Sequence, residues 1–149
     1  MSHWLYKNQP VTEIPSGVFG FVYQITGPDG KYIGRKYVTK SVRKAVKKKD
    51  GTRSVKKKKV VSESDWKSYT GSCIPLNKDI VKYGKESFKF DILCWCNTKG
   101  QTNFAEVVCQ IKSDVLIDPS YYNDAVGSGQ FRGVKFDDQF IETLKGIDL

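Results

Sequence analysis

The spacing of apolar and polar residues changes several times along the chain, and each change marks an element. Phe19, Phe21, Tyr23 and Ile25 alternate with Gly20, Val22 and Gln24, which predicts a strand with one core face and its tyrosine hydroxyls at the polar margin. A second run rich in Tyr, Ile and Val follows Gly27-Pro28-Asp29-Gly30, where proline presets φ and the glycines relieve turn strain, so the pair reads as a β-hairpin. Ser62-Glu63-Ser64-Asp65 has the caps and early acids of a helix start, and that short helix would carry Trp66 and Tyr69 on one face until Gly71. Leu76, Ile80 and Val81 give a second helix its stripe, ended by Gly84, and Phe88, Phe90, Ile92 and Cys94 alternate as a third strand. A further helix opens at a cap on Thr102 or Asn103 and turns Phe104, Val107, Val108, Ile111 and Val115 inward, with Glu106 one position off that stripe. Pro119 closes the helical region, Tyr121-Tyr122-Asn123 follows, Gly127-Ser128-Gly129 reads as a flexible turn, and Phe136 to Leu144 is compatible with a last helix. Trp4, Leu5, Tyr6, Pro10 and Pro15 are too proline-broken for a helix, which predicts an extended arm lying on the domain.

Between hairpin and first helix the apolar signal thins. Val38, Val42 and Val46, and later Val55, Val60 and Val61, are separated by lysines, and Lys49-Asp50-Gly51-Thr52 is a turn signal. The stretch predicts a two-stranded basic ribbon or a solvated loop over 37–61. Charge sharpens this reading. The net charge is +9, yet Arg35 to Lys59 holds thirteen Lys or Arg against Asp50, so the remainder carries a net −3. Such a block binds a polyanion by releasing counterions from phosphates, and it lacks the aromatic face of a membrane anchor. Lys40, Arg43, Lys44, Lys47, Lys48, Lys49, Arg53, Lys56, Lys57, Lys58 and Lys59 are the candidate DNA-binding residues, with Arg43 and Arg53 the base readers if a ribbon enters a groove.

At 149 residues the chain predicts a single domain over 1–149, with a core over 17–125, the basic insertion over 37–61 and a C-terminal extension over 126–149. No apolar run reaches membrane-span length and the polar start Met1-Ser2-His3-Trp4 has no signal-peptide core, so a cytoplasmic location is expected. Cys94-Trp95-Cys96 would put two thiols on one strand face, and with no second close pair and no nearby histidine, buried free thiols are favoured over structural zinc. His3 is the only histidine, which excludes a histidine-based dyad, and no phosphate-binding Gly-Lys loop or nucleophile elbow occurs.

Phe21-Val22-Tyr23 and Tyr32-Ile33-Gly34, standing in the two hairpin strands, resemble the paired tripeptides of the GIY-YIG nuclease family, although phenylalanine takes the glycine place of the first. The likeness extends from about Gly20 to Asn123 and is similar to small phage-encoded seg-like homing endonucleases at Trp66, Tyr69-Thr70-Gly71-Ser72, Leu76, Lys82-Tyr83-Gly84, Phe88 and Ile92-Leu93. It implies an α+β fold, a small three-stranded antiparallel sheet flanked by helices with a protruding basic insertion, and an endonuclease that hydrolyses double-stranded DNA in host cytoplasm. By the same resemblance Tyr23 activates water, Tyr32 hydrogen-bonds nucleophile or phosphate, Tyr69 contacts phosphate and Glu106 holds one divalent ion, Mg²⁺ or Mn²⁺. Asn123 tethers the site or binds phosphate. Asp65 occupies the place of the family's helix arginine, so Arg35, Lys36 or Arg43 must supply that charge. Tyrosine titrates near 10, so Tyr23 as base needs positive charge beside it. One active site implies a homodimer or two successive cuts for double-strand cleavage. The rival reading is a non-catalytic binding module on the same fold, and an RNA-processing nuclease would share the same site.

Overall fold

The computed structural model describes residues 2–47, 49, 51–128, 131–147 and 149, without the side chains of 46, 47 and 53–56. Lys48, Asp50 and Gly129, and the side chains of Lys47, Arg53 and Lys56, therefore lie outside the described residues.

The hairpin forms as expected. Strands β3 (Gly20–Thr26) and β4 (Lys31–Tyr37) pair antiparallel from Gly20↔Tyr37 to Thr26↔Lys31 around the Gly27–Gly30 turn. The sheet, however, has five strands rather than three, in the order β2-β1-β7-β3-β4. The N-terminal arm supplies two of them, β1 (Trp4–Tyr6) and β2 (Gln9–Pro10), joined through Lys7 and Asn8 at φ of 49° and 64°. Two consecutive positive φ values form the tight turn that matches strand twist, which Asn8 tolerates and Pro10 permits by sitting on the sheet edge. β1 runs parallel to β7 (Lys89–Cys96), and its fully buried Trp4 donates from Nε1 to the Trp66 carbonyl at 2.6 Å.

The alternation of β7 holds, with Phe90, Ile92, Cys94 and Cys96 all buried, but these residues serve two cores. Tyr23 pairs with Ile92 while its neighbour Val22 pairs with Cys94, so Leu93 is an extra residue in a bulge. Phe90 and Ile92 join Trp4, Phe21, Tyr23, Trp66 and Leu76 on one face, whereas Cys94 and Cys96 join Val22, Ile33, Ala105 and Cys109 on the other. β3 is accordingly buried on both faces, not one.

The basic insertion is a ribbon. β5 (Thr39–Lys47) and β6 (Arg53–Glu63) form a separate two-stranded antiparallel sheet. Because β6 continues through Glu63, the expected helix over Trp66 and Tyr69 does not exist. Ser64 is stitched back to the ribbon root by its N–H to Val38 O and its hydroxyl to Tyr37 O, and Asp65 to Ser68 make a turn that buries Trp66. Helix α1 (Ile74–Tyr83) is as predicted and buries Leu76, but Val81 is exposed.

Helix α2 (Lys99–Lys112) starts earlier than predicted, with the Thr98 side chain accepting from Gln101 N at 3.1 Å. Its inward face is also rotated. Thr102, Ala105, Glu106, Cys109 and Gln110 are buried while Ile111 is 61% exposed, so Glu106 lies on the packed side. Helix α3 (Asp138–Lys145) packs Phe140 beside Phe104 of α2. None of the described helices is long and apolar enough to cross a membrane.

Candidate active site

β4 is an edge strand of the main sheet, and its alternation sorts the site residues onto two faces. Tyr32, Gly34 and Lys36 point to the side of Tyr23 and Tyr69, while Ile33, Arg35 and Tyr37 point to the side of α2. Gly34 lies directly opposite Tyr23 in the register. A side chain there would put its Cβ 2.6 Å from the Tyr23 hydroxyl and 2.8 Å from the Tyr32 ring, so glycine is what lets the two phenols close over the strand. An open cleft of about 900 Å³ runs along this edge beneath the root of the ribbon, lined by Tyr23, Tyr32, Arg35, Lys36, Tyr69 and Glu106.

Four charged groups of the cleft are paired, Arg35 with Glu106 and Lys36 with Asp65. Arg35 Nη1 donates to Glu106 Oε1 at 2.8 Å, and its Nε donates to the Tyr37 hydroxyl at 3.2 Å. Tyr37 in turn donates to Asn103 Oδ1 on α2 at 2.6 Å. On the other face Lys36 Nζ bonds Asp65 at 2.5 Å and sits 4.0 Å from the centre of the Tyr69 ring. Asp65, the departure from the family pattern, thus fixes a lysine against the tyrosine face.

Burial dominates the protonation states. It raises Tyr23 well above the ordinary tyrosine value, and neighbouring Tyr69 and Tyr32 push the same way. Tyr32 is also raised by burial. Burial thus favours the neutral phenol at Tyr23 in the free protein. Burial also raises Glu106, against the opposing pull of Arg35. For Arg35 burial works downward, but the hydrogen bonds and charges of Tyr37 and Glu106 outweigh it and leave the guanidinium more firmly protonated than usual.

The cleft thus gathers Tyr23, Tyr32, Arg35, Lys36, Tyr69 and Glu106, with Lys40 and Lys59 at its ribbon wall. Arg43, Lys44, Lys49, Lys57 and Lys58 are exposed along the ribbon. Asn123 grips the edge strand, accepting from Ile33 N at 3.1 Å and donating to Ile33 O at 2.8 Å. Tyr37, Asn103, Gln110 and Lys99 escaped the sequence reading. Tyr37 was legible as the residue two beyond Arg35 on one strand face, whereas a buried Gln110 reads as an ordinary polar helix position.

Among the described residues no three His, Cys, Asp or Glu cluster as a multidentate metal site. Both carboxylates of the cleft are engaged, Asp65 by Lys36 and Glu106 by Arg35. A divalent ion would share or displace the Arg35 contact to reach Glu106, a single hard oxygen donor whose remaining ligands would be water and phosphate oxygens.

Residues 4–126 match the family model described as "Putative endonuclease segE, GIY-YIG domain". No curated protein and no solved structure matches the chain.

Proposed function

The chain belongs to the GIY-YIG family of DNA endonucleases, in its segE-type branch, and from that premise we propose a metal-dependent enzyme that cuts double-stranded DNA at the β4 cleft. Members of the family hydrolyse phosphodiester bonds of DNA, generally with a divalent metal ion. The observation that carries the finer reading is the meeting of the Glu106 carboxylate, the Arg35 guanidinium and three tyrosines at one open strand edge.

In this reading Glu106 would hold one Mg²⁺ or Mn²⁺, which supplies charge to the phosphoryl oxygens and acidifies bound water. Arg35, which in the free protein bonds Glu106 and Tyr37, would turn part of its guanidinium to the same phosphate and supply charge as it develops on the equatorial oxygens. Tyr23 enters protonated, so it holds the attacking water by hydrogen bond. Positive charge arriving with the substrate would let it release that proton to solvent, and the phenolate then takes the water's proton as the new P–O bond forms and the old one breaks. Tyr32 and Tyr69 orient water and phosphate, Lys36 adds a fixed cation, and Asn123 keeps β4 in place.

The ribbon supports a duplex substrate. Arg43 stands opposite Lys59 and Lys44 opposite Lys58, and like charges facing across strands destabilise a hairpin that has little core of its own. A polyanion relieves that repulsion, and a two-stranded ribbon has the width to enter the major groove. One site per chain cuts one strand, so a nicking enzyme or a dimer on DNA follows, in keeping with a phage homing or nicking role in host cytoplasm.

Supercoiled plasmid with Mg²⁺ or Mn²⁺ tests this directly. The native chain should give nicked or linear product, and Glu106→Ala should lower the rate at least about a hundredfold while plasmid binding persists. Full cleavage by the variant would remove Glu106 from the chemistry.

A further inference from the structure

Beyond the last residue matched by the family, the chain turns back onto the catalytic helix. Gly127 follows that boundary immediately, and its N–H donates to Gln110 Oε1 at 2.8 Å. Gln110 is almost fully buried, and its Nε2 donates to the carbonyl of Ile33, the middle residue of Tyr-Ile-Gly, at 3.1 Å. One amide side chain therefore joins the edge strand, α2 and the C-terminal segment. Gln110 stands four residues after Glu106, one helical turn along the same face.

The Gly127 backbone meets that carboxylate directly. A Cβ at Gly127 would fall 2.6 Å from Glu106 Oε1, the oxygen that receives Arg35, and 3.3 Å from Val107. Gly127 is not among the glycines with positive φ, so the requirement is for space rather than for a backbone conformation. Further along the segment the Lys135 carbonyl accepts from Gln101, and Phe131, Phe136 and Phe140 pack on Phe104 of the same helix.

We infer that Gly127 and Gln110 are positioning residues for Glu106, so that the segment after residue 126 forms the back wall of the active site. This rests on the endonuclease reading of the cleft. Gly127 sets how far the carboxylate can retreat from the cleft, and Gln110 sets the rotation of α2 against the Tyr-Ile-Gly strand. Misplacement of a reacting group by an ångström costs roughly a hundredfold in rate.

The test is a graded series on the full chain, Gly127→Ala and Gly127→Val, with Ser128→Ala as a control for altered loop stiffness. Plasmid cleavage should fall at least about tenfold for alanine and further for valine, with KM for plasmid and Tm close to native, and Ser128→Ala should cleave as native. Gln110→Ala should lower kcat similarly, and if it fails to fold the Gly127 series still decides. The ¹H–¹⁵N resonance of Arg35 Nε, read without metal or DNA, should move in the Gly127 variants because its carboxylate partner moves. Native-like cleavage and an unmoved Arg35 resonance in Gly127→Val would overturn the inference. A native chain that cuts nothing would instead defeat the endonuclease reading, and the resonance would still report whether Gly127 positions Glu106.

Discussion

Gly34 shows how one missing side chain can define a site. Of the two tyrosines beside it, Tyr23 is held by packing against Trp4 and Phe21 at ring separations of 5.1 and 6.2 Å, so it is not free to step aside for a new methyl. Gly34→Ala should therefore spread the two phenols and lower plasmid cleavage more than tenfold while DNA binding through the ribbon is kept. Near-native turnover would show that the Tyr23 and Tyr32 geometry does not govern the reaction. Tyr23, Tyr32 and Glu106 were legible in the sequence because motif and position named them. The protonation of Tyr23 was not, because it depends on burial to which Trp4 contributes, and Trp4 comes from an arm that the sequence presents as irregular.

The N-terminal arm is also where a titration enters an element. His3 lies beside the ring of Phe90 at 4.0 Å, and its Nε2 donates to the Tyr69 carbonyl at 2.9 Å, while the buried Nδ1 has no partner among the described residues. Burial, with Lys85 nearby, lowers its pKa from 6.5 to about 4. In the unfolded chain His3 takes a proton near 6.5, and in the fold only near 4, so between these values the unfolded state binds more protons. Stability contributed by neutral His3 is present above pH 6.5 and is lost as the pH falls towards 4. His3→Phe keeps the ring and removes the proton site. Its unfolding free energy, read from urea titrations, should fall less than that of the native chain across this window, by roughly 1–2 kcal/mol after solvent screening. Parallel curves for the two proteins would remove His3 from the acid response. Other elements were misread for equally local reasons. The helix expected at Asp65 to Tyr69 lost its residues to the ribbon root and to a buried Trp66, and α2 turned by part of a helical turn because Thr102, Glu106 and Gln110, all polar, satisfy partners inside. Hydrophobic periodicity cannot see a polar face that is buried for its hydrogen bonds. The bulge at Leu93 was invisible for a related reason, since every second residue of β7 is buried although the face changes.

For the whole molecule, charge and catalysis occupy separate parts joined at one edge. The positive excess lies between Arg35 and Lys59, while the rest of the chain carries net negative charge that would repel DNA. Affinity should therefore come from the ribbon and turnover from the cleft, and the two should separate by mutation. Changing Arg43, Lys44, Lys57 and Lys58 together to alanine leaves the cleft lining intact, because none of the four contributes to it. Each phosphate that the variant no longer neutralises should flatten the dependence of log affinity on log salt by about 0.9, so its slope should shrink by up to about 3 to 4. Its Tm should hold or rise, since opposed cations no longer repel across the ribbon. At low salt and saturating DNA its maximal cleavage rate should stay near native, because side chains that grip phosphates along the ribbon position the duplex without touching the reacting atoms. An unchanged salt slope would place the duplex elsewhere on the protein. A collapsed maximal rate with native slope would mean that the ribbon orders the catalytic edge itself, and that grip and chemistry are one device.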